Sequence, residues 1–209
     1  MSNTINKTVA SQLKKIRAEK AWSLEKTSQA CGVSKAMLGQ IERGESSPTV
    51  AKLWKIATGF SLPLSYFLQQ ESLVPVNHDI DVQDSDAQNN GEYIGDAKQL
   101  NKPINTLVEN FTQDKNLSID TVFAYDNDTG IEVFELTFSV GHQQQSTPHQ
   151  LGVIEHIIVT TGTMQYFVDQ KWTTLKVGDK AKFYADKAHI YRNIGDIPLR
   201  FLNIIHYPK

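Results

Sequence analysis

The sequence predicts a multidomain α-then-β chain, with an all-helical domain over residues 1–70, an acidic polar linker over 71–104 and an all-β domain over 105–209. Three observations predict it. Apolar residues recur at helical spacing through the first 70 residues, and short β-rich runs bounded by turn residues fill the C-terminal half. The polar stretch between them reverses the sign of the charge. At about 150 residues per domain, 209 residues hold one or two domains and exclude a large multidomain machine.

The helices follow in order. Val9, Leu13 and Ile16 are spaced i, i+4, i+7 and predict a first amphipathic helix over about Lys7–Lys20. Ser23 is a good N-cap for a second helix reaching about Ala30, and Gly32 suits its left-handed stop. Ser34 caps a third helix over Lys35–Arg43 that Gly44 ends, so two helices flank a short turn. Pro48 starts a fourth helix carrying Val50, Leu53, Trp54, Ile56 and Ala57, and Leu62–Leu68 reads as a short fifth.

Residues 1–70 carry ten Lys and Arg against four Glu, a net +6 that attracts phosphate backbones. Residues 71–100 carry seven acids against Lys98, a net −6, in runs such as Asp84-Ser85-Asp86-Ala87-Gln88-Asn89, the composition of a solvated connector. Beyond it, Ile131–Val140, His156–Thr161, Met164–Val168, Lys180–Tyr184 and Leu199–His206 read as strands, separated by turns such as Asp128-Thr129-Gly130 and Val177-Gly178-Asp179. Short strands at this spacing predict an antiparallel sandwich or barrel.

Bulk composition excludes several classes. No apolar run approaches the roughly 18 residues of a membrane span, and residues 1–20 lack the apolar core of a secretory signal. Cys31 is the single cysteine, which excludes an intrachain disulfide and a thiolate zinc cluster. A soluble protein of the reducing cytoplasm is expected.

Residues 8–68 resemble the helix-turn-helix domain of phage-repressor-like bacterial regulators, the XRE family. The resemblance rests on Ser23-Leu24-Glu25, Ala30-Cys31-Gly32-Val33-Ser34, Leu38, Ile41-Glu42-Arg43-Gly44 and Ser47-Pro48-Thr49. It implies a five-helix bundle in which Lys35, Ala36 and Gln40, beside Ser34 at the head of the recognition helix, face the major groove. Lys and Gln suit the edges of guanine and adenine. The same resemblance implies that Gln29, Arg43, Ser46 and Thr49 meet the phosphates, and that Leu38 and Ile41 are core.

The β-rich tail resembles the cupin superfamily, a double-stranded β-helix barrel. Gly141, Thr147, His149, Glu155 and Gly162 follow the first cupin motif, with Thr147 in place of its first histidine and a longer step from His149 to Glu155. Gly178, Tyr184, Asp186, His189 and Asn193 keep every spacing of the second, with Tyr184 and Asp186 replacing its Pro and Gly. Strand alternation would put Thr147 with His149, and His189 with Tyr191 and Asn193, on shared faces.

The resemblance implies a metal set of His149, Glu155 and His189, a two-histidine, one-carboxylate group suited to zinc first, and to iron or manganese. Thr147, Tyr166, Tyr191 and Asn193 are the expected lining of an effector pocket. His156 should point away from the barrel if Glu155 points in.

The reading that joins both halves is a bacterial sequence-specific DNA-binding transcriptional regulator. Its barrel is expected to sense a small polar metabolite and its subunits to pair as a homodimer on a double-stranded operator, without membrane contact. Two-fold symmetry would set two recognition helices about 34 Å apart. No catalytic acid/base pair is evident, so the chain is not read as an enzyme; the alternative is a metal-dependent cupin dioxygenase or isomerase with a DNA-binding head.

Overall fold

Ser23, Ser34 and Thr49 each take extended backbone and accept a hydrogen bond from an amide three residues on: Lys26 at 3.1 Å, Met37 at 3.3 Å and Lys52 at 3.4 Å. These caps start three of the helices in the computed structural model, which describes residues 2–68 and 115–208. The expected linker over 71–104 lies outside the described residues. The helices are α1 (Ser2–Glu19), α2 (Leu24–Cys31), α3 (Lys35–Glu42) and α4 (Val50–Phe60). Gly32, at φ +62°, ends α2 as expected.

Two expectations are corrected. Pro48 does not open α4, because Thr49 supplies the cap and Pro48 precedes it. The fifth helix is a single 3₁₀ turn, Leu64–Phe67: Ser61 ends α4 in the left-handed region, the Leu62 amide donates back to the Ala57 carbonyl at 3.0 Å, and Pro63 is extended, so nothing helical starts before Leu64, where the Leu64 and Ser65 amides donate to the Glu132 carboxylate at 3.1 and 3.0 Å.

Val9, Leu13, Leu38, Ile41, Leu53 and Phe60 form the buried centre of the head, and Trp22 stacks on Phe60 with ring centroids 5.0 Å apart. Arg17 on α1 grips Glu42 at the end of α3 with two hydrogen bonds, of 2.6 and 2.9 Å. Glu42, within the Ile41-Glu42-Arg43-Gly44 run, therefore pins the recognition helix to α1. Gly59 permits α4 to lie against α2, since a Cβ there would sit 2.7 Å from the Cys31 Cα. Burial pushes the Cys31 thiol up to about 11, so Cys31 is packing rather than a reactive thiolate.

Nine antiparallel strands follow among the described residues: β1 (Leu117–Asp126), β2 (Ile131–Phe138), β3 (Gln143–Ser146), β4 (Ile154–Thr161), β5 (Thr163–Val168), β6 (Lys171–Lys176), β7 (Lys180–Tyr184), β8 (His189–Asn193) and β9 (Leu199–His206). They make a five-stranded sheet in the order β1-β2-β9-β4-β7 and a four-stranded sheet in the order β3-β8-β5-β6. Inward residues alternate strictly on β8, where His189, Tyr191 and Asn193 are buried, and on β9, where Leu199, Phe201, Asn203 and Ile205 are buried. Phe201 meets Phe138 and Tyr191 edge-on across the interior. No helix among the described residues is long and apolar enough to cross a membrane.

Head and barrel share one compact unit. Glu132 is fully buried on β2 and accepts from the Leu64 and Ser65 amides and from the Tyr207 hydroxyl, at 2.5 Å. The Tyr125 amide donates to Ser65 Oγ at 3.0 Å. Trp54 of α4 lies edge-on to Phe134, 6.1 Å between centroids.

Candidate metal centre and DNA-binding face

α3 presents Lys35, Ala36 and Gln40 to solvent while Leu38, Gly39 and Ile41 face the core. The exposed side of a capped helix is thus polar, basic and uncovered, as a groove reader requires. Ser34 caps it. Lys35 lies 3.9 Å from Glu25, both well exposed, an ion pair that water and salt weaken. Arg43 is exposed and held by Glu45 through hydrogen bonds of 2.8 and 2.7 Å, which pull the Glu45 carboxyl below its usual range.

The remaining residues of the expected phosphate set have other engagements. Ser46 Oγ donates to the Met37 sulfur at 3.7 Å, and Thr49 Oγ1 caps α4. Gln29 is exposed on α2 and lines an open groove with Lys55 and Thr147.

In the barrel, His149, Glu155 and His189 come together. One ligand atom from each lies within 4.8 Å of the others. His149 Nε2 donates to Glu155 Oε1 at 2.8 Å, while His189 Nε2 stands 3.5 Å from the same oxygen without a hydrogen bond. His189 Nδ1 lies 2.9 Å from the Lys187 carbonyl, which accepts and so requires the proton on Nδ1. In neutral His189 the lone pair therefore sits on Nε2, aimed at the trio. The other Glu155 oxygen accepts from the Tyr191 hydroxyl and from Asn203 Nδ2 at 2.8 Å, which fixes Oε1 toward the histidines. Three converging donor atoms, one a buried orphan nitrogen, fit a divalent cation.

Charge holds the trio as it stands. Burial opposes ionisation of Glu155, yet the His189 charge and the hydrogen bond from His149 outweigh it and hold the carboxyl well below its usual range. Burial likewise opposes protonation of His189, and the Glu155 charge overrides it and raises the imidazole. The Tyr191 phenol is raised by burial and by the same carboxylate.

His149 and Glu155 of the trio line a cavity of about 10 Å³ together with Gln144, Ser146, Tyr191 and Asn203, and Val50 and Trp54 of α4 form part of its wall. The Trp54 ring lies 4.9 Å from the His149 ring. This volume is on the scale of one water molecule or a monatomic cation. An organic metabolite does not fit while Trp54 is seated.

Of the residues expected to line an effector pocket, Tyr191 borders this cavity. Tyr166 pairs with Tyr191 across the β5–β8 ladder and stacks on Phe183 at 5.7 Å. Asn193 is engaged by backbone: Nδ2 donates to the carbonyls of Phe138, Ser139 and Ile197, and Oδ1 accepts from the Gly195 amide. It ties strands together and is not among the residues bordering this cavity. Thr147 does not share a strand face with His149. β3 ends at Ser146, and Thr147 follows in the loop that borders the groove with Gln29.

Comparison with known proteins accords with both halves. Residues 13–67 match the helix-turn-helix family and residues 134–205 the cupin domain family. The HTH-type transcriptional regulator SutR of Escherichia coli K12 is 39% identical over 202 residues, 96% of each chain. The chain belongs to the XRE-type helix-turn-helix transcriptional regulators that carry a cupin domain. The crystal structure of an HTH_3 family transcriptional regulator from Vibrio cholerae covers 100% of both chains at 39% identity, with a TM-score of 0.76.

Sequence reasoning missed three site residues of this regulator. Trp54 reads as helix core, and nothing local reveals that it reaches the barrel. Gln144 lies in Gln143-Gln144-Gln145-Ser146, a strand without an apolar residue. Asn203 was findable: it is the one polar residue at a buried position of β9, between Phe201 and Ile205.

Proposed function

We propose that this regulator binds an operator as a homodimer and that its barrel reports the occupancy of the His149, Glu155 and His189 site to the DNA-binding head. Lys35, Ala36 and Gln40 read base edges, with Ser34 at the N-terminus of α3; Gln29, Arg43, Ser46 and Thr49 approach phosphates. Phosphate contact by Arg43 exchanges its Glu45 partner for a phosphate oxygen, so affinity falls with added salt. The site holds a divalent metal, zinc first, with iron or manganese as chemically suited alternatives. When bound, the metal supplies a Lewis-acid centre that anchors one polar group of a small metabolite.

The observation that carries the sensing role is the seat of Trp54 on His149. Val50 and Trp54 belong to α4, whose adjoining face, Leu53, Ile56 and Phe60, is core of the head. A metabolite larger than the cavity enters when α4 leaves the barrel mouth, and α4 packs on α2, which packs on α3. Ligand binding then favours one arrangement of the head over another, a coupling typically worth about 1–3 kcal/mol. Cytoplasmic action follows from this role.

The test is selection of DNA sequences by the full-length protein. Wild type should enrich a pseudo-palindrome, and a Lys35→Ala, Gln40→Ala double variant should lose that preference while unfolding at the same temperature. An unchanged enriched sequence refutes the assignment of α3.

A further inference from the structure

The outward face of the five-stranded sheet carries an ordered row of side chains. Register aligns Glu135 on β2 with Leu202 on β9, Leu202 with Ile158 on β4, and Ile158 with Lys180 on β7. Residues paired across a ladder point to one face. Their sequence neighbours Phe134, Phe201, Ile157 and Val159 are buried inside the barrel, so this row points outward. The next row aligns Ile204 with His156 and His156 with Lys182. Each row thus has aliphatic or aromatic side chains at its centre and lysine at the β7 end, and the first has acids toward its other end, Glu135 on β2 with Asp120 beside it on β1. An open groove of about 530 Å³ runs between His156, Ile158, Lys180, Lys182 and Ile204. A sheet face left to water normally places polar residues at such positions, and here β9 and β4 place Leu202, Ile204 and Ile158.

We propose that a second copy of this chain docks on this face, about a two-fold axis that lies between the two sheets and runs parallel to β9 and β4. This rests on the homodimer reading above and assigns its surface. The axis reverses each row against itself. Glu135 of one copy meets Lys180 of its partner, Leu202 meets Ile158, and Ile204 meets His156. The alternative two-fold, across the strands, sets Glu135 against Glu135 and Lys180 against Lys180, and like-charge repulsion disfavours it. The contact is isologous, closes at two subunits and matches aligned sheet-on-sheet packing.

Sedimentation velocity on the full-length protein, without DNA or added metal, tests the surface separately from the DNA and metal readings. Wild type is expected to be a dimer at micromolar concentration. Glu135→Lys and Lys180→Glu should each raise the dimer dissociation constant about tenfold or more, and the double charge swap should restore it toward wild type. Leu202→Glu should give a monomer whose circular dichroism matches wild type. A monomeric wild type, single swaps that dimerise like wild type, or a double swap no better than its singles each overturns the proposal.

Discussion

Asn193 and Glu155 show how one polar side chain can serve structure or chemistry according to its partners. Asn193 directs both its amide donors and its carbonyl to backbone, so Asn193→Ala removes bonds to three carbonyls and the Gly195 amide. An expected cost of about 2–3 kcal/mol should appear as a lower thermal midpoint with zinc binding retained. Glu155 and His189 link stability to pH. The depressed Glu155 carboxyl stabilises the fold above its unfolded value near 4.5, and this is lost as pH falls through its folded value. The raised His189 imidazole stabilises the fold fully below its unfolded value near 6.5, and this is lost as pH rises through its folded value. The thermal midpoint of metal-free protein should therefore fall as pH rises above 6.5 through the folded value of His189, and His189→Gln should abolish that fall. A slope unchanged in the variant would remove His189 from the balance. At this scale the sequence was legible where spacing carried information: the second cupin motif located His189 and Asn193. It did not separate ligand from scaffold, because the carbonyls that engage Asn193 come from distant segments.

The joint between α4, the 3₁₀ turn and the barrel is a property of elements. Glu132 accepts two amides from the turn and a hydroxyl from Tyr207, and burial raises its carboxyl despite these donors. Glu132→Ala leaves those donors buried and unpaired. It should split the calorimetric transition into separate head and barrel steps, whereas a single cooperative transition would show that the joint does not bind the halves. Trp54→Ala should open the barrel mouth and speed zinc association in stopped-flow mixing, with equal rates counting against a lid. Periodicity and caps made α1 to α4 legible, because helix starts and stops are local. β3, without an apolar residue, and β1, whose ladder to β2 shifts register twice, left no clean alternation to read. The expected fifth helix shortened to one turn because Leu62 is taken up in the C-cap of α4 and Pro63 is extended.

For the whole molecule, the division into a helical head and a β barrel followed from composition and charge, and the comparisons agree with it. Their docking was not legible, since Trp54, Glu132 and Tyr207 are far apart in sequence and read locally as core, strand and chain end. That docking makes head and barrel one compact unit rather than two tethered domains: the His149 ring of the candidate metal cluster lies against Trp54 of the helix-turn-helix head. Zinc titration of metal-free protein by calorimetry, with tryptophan emission followed in parallel, tests this most directly. The account requires one zinc per subunit and an emission change that Trp54→Phe removes, with both signals lost in the His149→Ala, His189→Ala double variant. Absence of saturable binding, or binding that survives in the double variant, would contradict it.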